Sequence, residues 1–173
     1  MSYNFNKDLI RGKKYENLLL NTLINNNIDA SLNTSPDIKI LEKYDLITST
    51  NIKIEVKLDT NTNKYNSLFI ETYRETKTIY KNGETIRRQE TGIKKTECDY
   101  YIFYNGNNDN NPYIIKFNDL KQIIINNIQH LKIKTTRPAQ YGNKSILTGG
   151  LILPISYIDD YLIKIDEFFL MLK

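Results

Sequence analysis

The sequence is poor in two residue types that commonly bind metals or act as bases, with one cysteine, Cys98, and one histidine, His130. A single cysteine can form neither an intramolecular disulfide nor a multi-cysteine zinc site. His130 falls near the end of a helix-like stretch, where an exposed or capping residue is typical. Histidine-based catalytic triads and His-rich metal sites are therefore not expected.

The chain also lacks any apolar run near the ~20 residues that would cross a bilayer. Its first residues, MSYNFNKDLIRGKK, lack the apolar core of a secretory signal. These absences predict a cytoplasmic protein without membrane association, in the host cytoplasm if the source is a virus. The length fits a single domain over residues 1–173, and the net charge of +4 is compatible with a nucleic-acid partner without indicating one.

Apolar periodicity predicts helices near both ends of the chain. Residues 11–26 place four apolar side chains at helical spacing, and residues 118–131 and the C-terminal stretch predict two further helices. The apolar residues of the first helix are Leu19, Leu20, Leu23 and Ile24, and the candidate N-caps of the later helices are Asn118 or Asp119, and Ser156.

Between these helices, short alternating runs predict strands. Runs at 43–48 and 52–59 come first, followed by a two-stranded ribbon over about residues 68–90 with a type I′ turn at Asn82-Gly83. The segments CDYYIFYN and PYIIKF predict two more strands, and Pro154 ends a later one. This order predicts an α+β fold with a mixed sheet flanked by helices and elaborated by a β-hairpin.

The run IKIEVKLDT, residues 52–60, raises a functional question because it alternates apolar and polar residues. An amphipathic strand with one wet face is the simplest interpretation. A three-residue loop at 49–51, however, would pair Thr48 with Ile52 and so place Asp45 directly opposite Glu55. The neighbouring strand then brings a second carboxylate to the same face.

Two carboxylates in that register favour a divalent cation. Their Cβ atoms would lie ~4.5–5.5 Å apart, and two like charges at that separation repel unless a cation lies between them. Mg²⁺ or Mn²⁺ suits oxygen ligands of this kind. Lys57 extends from the same face and could orient a nucleophile or offset negative charge that develops on a phosphate.

The order Asp45, then Glu55-Val56-Lys57, resembles the signature of the PD-(D/E)XK nuclease superfamily, which has a restriction-endonuclease-like fold. The segments NSLFIETYRE and TGIKKTECDYYIFY look like small phage-type members, so the resemblance spans about residues 12–104. It implies a Mg²⁺- or Mn²⁺-dependent deoxyribonuclease, with endonuclease activity favoured over exonuclease activity.

The resemblance also implies roles for further groups. It implies that Glu16, on the helix before the first strand, is a catalytic residue with Asp45, Glu55 and Lys57. The metal ligands would be Asp45, Glu55 and the backbone carbonyl of Val56, with Glu71 as an accessory acid. One departure is Tyr44 where the signature has proline; a literal Pro36-Asp37 occurs earlier, so Asp37 stays an alternative to Asp45, although Asp45 lies in a run that can pair with the Glu55 strand.

Basic residues on the ribbon and in a later loop are candidates for DNA binding. Their composition suits phosphate contacts as well as it suits a solvated surface, so both interpretations stay open. The candidates are Arg87, Arg88, Lys77, Lys81 and Arg137.

We expect a nuclease that hydrolyses DNA phosphodiesters. The alternatives are a catalytically silent DNA-binding or assembly module that keeps the nuclease fold, and a structural protein whose polar hairpin face only contacts solvent. The sequence leaves open the preferred DNA structure, the pathway served and the oligomeric state, including a homodimer.

Overall fold

The computed structural model describes residues 5–106 and 111–173. In these residues the strands form two β-sheets, and the helices lie before, between and after the strands. The expected α+β class with a mixed sheet is confirmed. The helices are α1 (Phe5–Asn25), α2 (Ile38–Leu41), α3 (Thr62–Tyr65), α4 (Phe117–Asn127) and α5 (Ile165–Leu172). The strands are β1 (Ala30–Leu32), β2 (Leu46–Thr48), β3 (Lys53–Leu58), β4 (Ser67–Tyr80), β5 (Gly83–Glu90), β6 (Tyr100–Tyr104), β7 (Tyr113–Lys116), β8 (Lys132–Thr135), β9 (Ala139–Tyr141) and β10 (Lys144–Pro154).

The first sheet has the order β1-β2-β3-β6-β7 and is mixed, because β3 and β6 run parallel while the other pairs are antiparallel. One face packs against α1 and α5, with Leu19 and Leu23 fully buried. The expected apolar stripe of α1 is correct at these two positions, but Ile24 is exposed. None of the helices in the described part of the chain is long and apolar enough to cross a membrane.

The second sheet is antiparallel, with the order β5-β4-β10-β8, and β9 also pairs with β10. Its inner residues, among them Leu68 and Ile70, share a buried cluster with Tyr101 and Phe103 of the first sheet. The predicted β-hairpin is present and consists of β4 and β5. Strand β10 pairs with β4 along its whole length and makes the ribbon part of a second sheet.

Three predicted local features differ from the structure. Tyr80 pairs with Gly83, so the two loop residues are Lys81 and Asn82. In this turn only Gly83 has a positive φ, 140°, whereas a type I′ turn needs positive φ at both loop residues. The hairpin is therefore correct and its turn type is wrong.

The helix caps are the second and third of these features. The N-cap of α4 is Lys116 instead of Asn118 or Asp119, since β7 runs directly into the helix and the Phe117 amide donates to the carbonyl of Asp99 at 2.8 Å. The helix α5 begins after Lys164. Ser156 lies instead in a 3-10 turn at Ile155–Tyr157, after Pro154 has ended β10 as predicted.

Candidate active site

The β2–β3 hairpin has the predicted register. Leu46 pairs with Ile54 and Ile47 with Lys53, which is the alignment that places Asp45 opposite Glu55. The loop is closed by a hydrogen bond from the Asn51 amide to the Thr48 carbonyl at 2.9 Å, and Asn51 is left-handed with φ 66°. A tight turn followed by a left-handed residue is a common three-residue hairpin loop. Local chain geometry therefore fixes the relation between the two carboxylates.

Asp45 lies just before β2, and hydrogen bonds to both its main chain and its side chain fix its position. Its carbonyl accepts a hydrogen bond from the Asn33 amide at 2.8 Å, and its Oδ2 accepts one from the Val56 amide at 2.7 Å. In a β-strand, the N–H and the C=O of one residue point toward the same neighbouring strand. The Val56 carbonyl therefore also faces the edge of β3 at which the Asp45 carboxylate lies.

Glu55 is a buried acid, with only 5% of its surface exposed, and it forms an ion pair with Lys57. Burial raises the pKa of Glu55 to about 7; Lys57 opposes the shift, and the nearby charges of Asp45 and Glu16 add to it. Burial alone would lower the pKa of Lys57, but the Glu55 carboxylate, with Tyr101 and Asp45, holds it well above the ordinary value. Glu55 thus carries a proton more readily than an ordinary glutamate, whereas Lys57 stays charged.

Glu16 reaches this group from α1. It is half-buried, next to the buried Tyr15, and burial followed by the charge of Asp45 raises its pKa, while Lys57 lowers it. The structure therefore brings together all four residues for which the sequence predicted a catalytic role. Three of them are acids, so the one ammonium group of Lys57 does not balance their charge.

A cavity of about 200 Å³ opens beside these side chains. Glu71, the predicted accessory acid, lines it together with Arg74, which lies 3.6 Å from the Glu71 carboxylate. Sequence analysis missed Arg74, because positions 71 and 74 point to opposite faces of a regular strand. The other lining residues include Asp45, Glu55, Lys57, Thr91, Gly92 and Lys95.

Asp45 and Glu55 offer carboxylate oxygens, the donor type that hard divalent cations take. In residues 5–106 and 111–173, no group of three or more His, Cys, Asp or Glu side chains is arranged to hold a metal ion. A cation at Asp45 and Glu55 would therefore use the Val56 carbonyl and water for its remaining positions, as Mg²⁺ commonly does in proteins. The excess of acids over cations around buried Glu55 supplies the negative charge that such an ion needs.

Asp37 has a different role in the structure. Its carboxylate accepts a hydrogen bond from the Lys39 amide at 2.9 Å and so caps α2. Asp99, at the far end of β3, accepts from the Lys53 amide at 2.8 Å, and Thr96 donates to the Gly92 carbonyl at 3.0 Å. These hydrogen bonds give Asp99 and Thr96 structural roles, and the Pro36-Asp37 pair belongs to a helix start.

The candidate DNA-binding residues occupy different surroundings. The Arg88 guanidinium stacks 3.5 Å from the centre of the Tyr73 ring, and Lys77 forms an ion pair with Glu84. Lys81 lies in the turn between β4 and β5. Arg87 is exposed on β5, and Arg137 is exposed between β8 and β9.

A comparison with solved structures finds a similarity to a bacterial homing endonuclease. The two share 14% sequence identity, and the match covers 80% of this chain and 75% of that chain with a TM-score of 0.44. No protein-family model matches the sequence, and no curated protein matches it. At a TM-score this low, the similarity assigns no function to this chain.

Proposed function

We propose that this chain is a metal-dependent deoxyribonuclease that hydrolyses phosphodiester bonds at the cavity beside Asp45, Glu55 and Lys57. The observation that carries the proposal is the buried Glu55, paired with Lys57 and placed next to Asp45 on an open cavity. A buried ion pair adds little stability, because desolvation offsets its attraction. Two further acids beside it add a cost that a purely structural role would not explain.

Asp45, Glu55 and the Val56 carbonyl would hold the cation. A divalent ion there would supply Lewis acidity toward water and phosphate. Lys57 stays protonated and offers its ammonium group to the negative charge that develops on a phosphate, an interaction that is stronger in a partly buried site than in water. Glu16, whose pKa is raised, would accept a proton from water or orient it.

This combination of acids, cation and lysine would act on a phosphodiester, and we propose DNA as the substrate class because the order Asp45, then Glu55-Val56-Lys57, resembles the signature of DNA nucleases. Arg74 at the cavity wall is a further cation for the phosphate backbone. Since the proposed function is a reaction, and fold alone does not establish a reaction, activity must be tested directly.

The test is incubation with Mg²⁺ and linear, circular, single-stranded and branched DNA, comparing the wild type with Asp45→Asn and Asp37→Asn. Both substitutions keep a side-chain oxygen acceptor. The amide introduced at position 45 can therefore still accept from the Val56 amide, and the one introduced at position 37 can still cap α2. We expect cleavage by the wild type and Asp37→Asn, and a loss of at least ~10²-fold in Asp45→Asn, by analogy with the removal of other preorganised groups.

Cleavage of circular DNA would identify an endonuclease. If the wild type cleaves none of these DNA forms, the silent-module interpretation is the better one. If Asp37→Asn loses activity and Asp45→Asn keeps it, the metal site has been assigned to the wrong aspartate.

A further inference from the structure

A β-bulge at Thr72 sets which face of the ribbon continues from the cavity. Along the β4–β10 pair, Tyr73 lies opposite Gly149 and Glu71 opposite Gly150, so no residue of β10 lies directly opposite Thr72, whose hydroxyl donates to the Gly149 carbonyl at 3.2 Å. A bulge of this kind places residues on one face that a regular strand would send to opposite faces. The ion pair between Glu71 and Arg74, three residues apart, and their shared place in the cavity wall agree with it.

Beyond the bulge, the ordinary alternation of the strands defines a surface that we call the site face. It starts at Arg74 and contains every second residue of β4 and the residues directly opposite on β5 and β10. Two of its cations, Arg87 and Lys144, are exposed. The site face comprises Arg74, Thr76, Thr78 and Tyr80 of β4, Thr85, Arg87 and Gln89 of β5, and Lys144, Ile146 and Thr148 of β10.

The opposite face of the same ribbon has a different charge. There Arg88 stacks on Tyr73 and Lys77 pairs with Glu84, so both cations already have partners. From Arg74 outward, this face carries the acids Glu75 and Glu84 against these two cations. Along the described strands from Arg74 outward, the site face carries three cations and no acid.

We propose that the site face is the docking surface for the phosphate backbone of the DNA duplex, which would run from the cavity along the ribbon. The inference rests on the proposed function and specifies where its substrate binds. Arg87 and Lys144 contact phosphates, and Thr76, Thr85 and Gln89 offer hydrogen bonds of the kind that position a DNA backbone. Arg88 and Lys77, on the other face, make no such contact.

Charge complementarity and continuity with the cavity support this choice of partner. Arg87 lies opposite Thr76, one pleat beyond Arg74, so the two arginines are diagonal neighbours with Cα atoms ~7–8 Å apart. From Arg74 to Tyr80 the strand extends for ~20 Å, which is long enough to follow several nucleotides. Cations distributed in this way would hold a duplex against the site without reading its sequence.

The test is the salt dependence of binding of a labelled DNA duplex, measured in EDTA so that hydrolysis does not interfere. Arg87→Ala and Lys144→Ala are compared with Arg88→Ala and Lys77→Ala, which remove the same charges from the other face. For each site-face variant, we expect the slope of log K against log salt to fall by ~0.9 per lost contact, with no change for the two controls. Arg87→Lys, which keeps the charge, should keep the slope, and melting temperatures confirm that each variant is folded.

Equal changes for Arg87→Ala and Arg88→Ala would overturn the proposal, as would unchanged slopes for all four variants or no duplex binding by the wild type. Tighter binding of an RNA duplex than of DNA would overturn the choice of partner. The two proposals fail separately. If the protein cleaves DNA but the two faces do not differ in the salt slope, only the docking-surface proposal is rejected. If the two faces differ as predicted but no DNA is cleaved, only the nuclease proposal is rejected.

Discussion

Lys57 and Glu55 show how burial and charge compete at single residues. Burial penalises both charges, yet the Glu55 carboxylate holds the pKa of Lys57 well above its ordinary value, while burial raises the pKa of Glu55 to about 7. Removing Lys57 leaves the Glu55 carboxylate buried and uncompensated. A substitution at either position therefore reports on function and on electrostatics together, and the two effects need separate measurements.

Lys57→Ala should reduce the rate of DNA hydrolysis by ~10²–10³ at saturating Mg²⁺, since it removes a charge placed to stabilise the transition state. Turnover of a labelled duplex measures the effect, with melting temperatures recorded alongside. Lys43→Ala is the control, because it removes a lysine from an ion pair with Glu97 outside the cavity. It should change stability by less than ~0.5 kcal/mol and leave turnover unchanged. Equal turnover in the wild type and Lys57→Ala would contradict the catalytic role assigned to Lys57.

At the scale of elements, the cavity wall depends on close backbone packing between β4 and the segment after β5. Gly92, in a 3-10 turn at Gly92–Lys94, has φ +54°, and a Cβ atom added there would lie 2.4 Å from the Glu71 carbonyl oxygen. Neither the backbone conformation nor the space suits a side chain. The close contact between this turn and the Glu71 backbone therefore depends on glycine at position 92.

Gly92→Ala should destabilise the fold by at least ~1–3 kcal/mol because strain and the clash act together. Gly12→Ala is the matched control: Gly12 lies inside α1, and an added Cβ meets no heavy atom within 4 Å outside its own helix. This change should stabilise the protein by ~0.5–1 kcal/mol through helix propensity. Urea unfolding of both variants gives the comparison, and a Gly92→Ala protein as stable as the wild type would contradict the packing described here.

For the whole molecule, the acids of the site make stability depend on pH. The pKa of Glu55 rises from its ordinary 4.5 to about 7, and that of Glu16 also rises, so the folded protein binds more protons than the unfolded chain between these values. Stability contributed by these groups is therefore greatest below pH 4.5 and is lost as pH rises toward 7. A bound cation should oppose this loss, because it favours the ionised carboxylates.

Without metal, the free energy of unfolding should fall between pH 5 and 8 by at most ~3 kcal/mol from Glu55, and Glu55→Gln should flatten this decline. At a hundredfold excess over its dissociation constant, Mn²⁺ should stabilise the protein at pH 8 by ~2.7 kcal/mol. The stabilisation should be smaller at pH 5.5, where protons compete for Glu55. Melting curves at the two pH values test both points, and curves that millimolar Mn²⁺ does not shift at pH 8 would count heavily against the site.

The sequence by itself determined the features that depend on neighbouring residues. A period of two and a three-residue loop were enough to set the β2–β3 register, and so to place Asp45 opposite Glu55 with Lys57 on the same strand. Pairing across a short loop leaves few alternative registers, because a shift by one residue would turn Ile54 and Val56 out of the core. The ribbon hairpin, the buried strand β6 and the α+β class follow from equally local patterns.

Only the tertiary structure decided the features that join distant parts of the chain. The pairing of β10 with β4 brings residue 150 next to residue 71, creates the bulge at Thr72 and moves Arg74 into the cavity wall. It also separates Arg87 from Arg88, which the sequence had placed together as equal candidates. The burial of Glu55 and the hydrogen bond from the Phe117 amide to the Asp99 carbonyl, which begins α4, also depend on contacts between distant segments. Such contacts depend on packing between segments far apart in sequence, and no periodicity within one segment records which residues will meet.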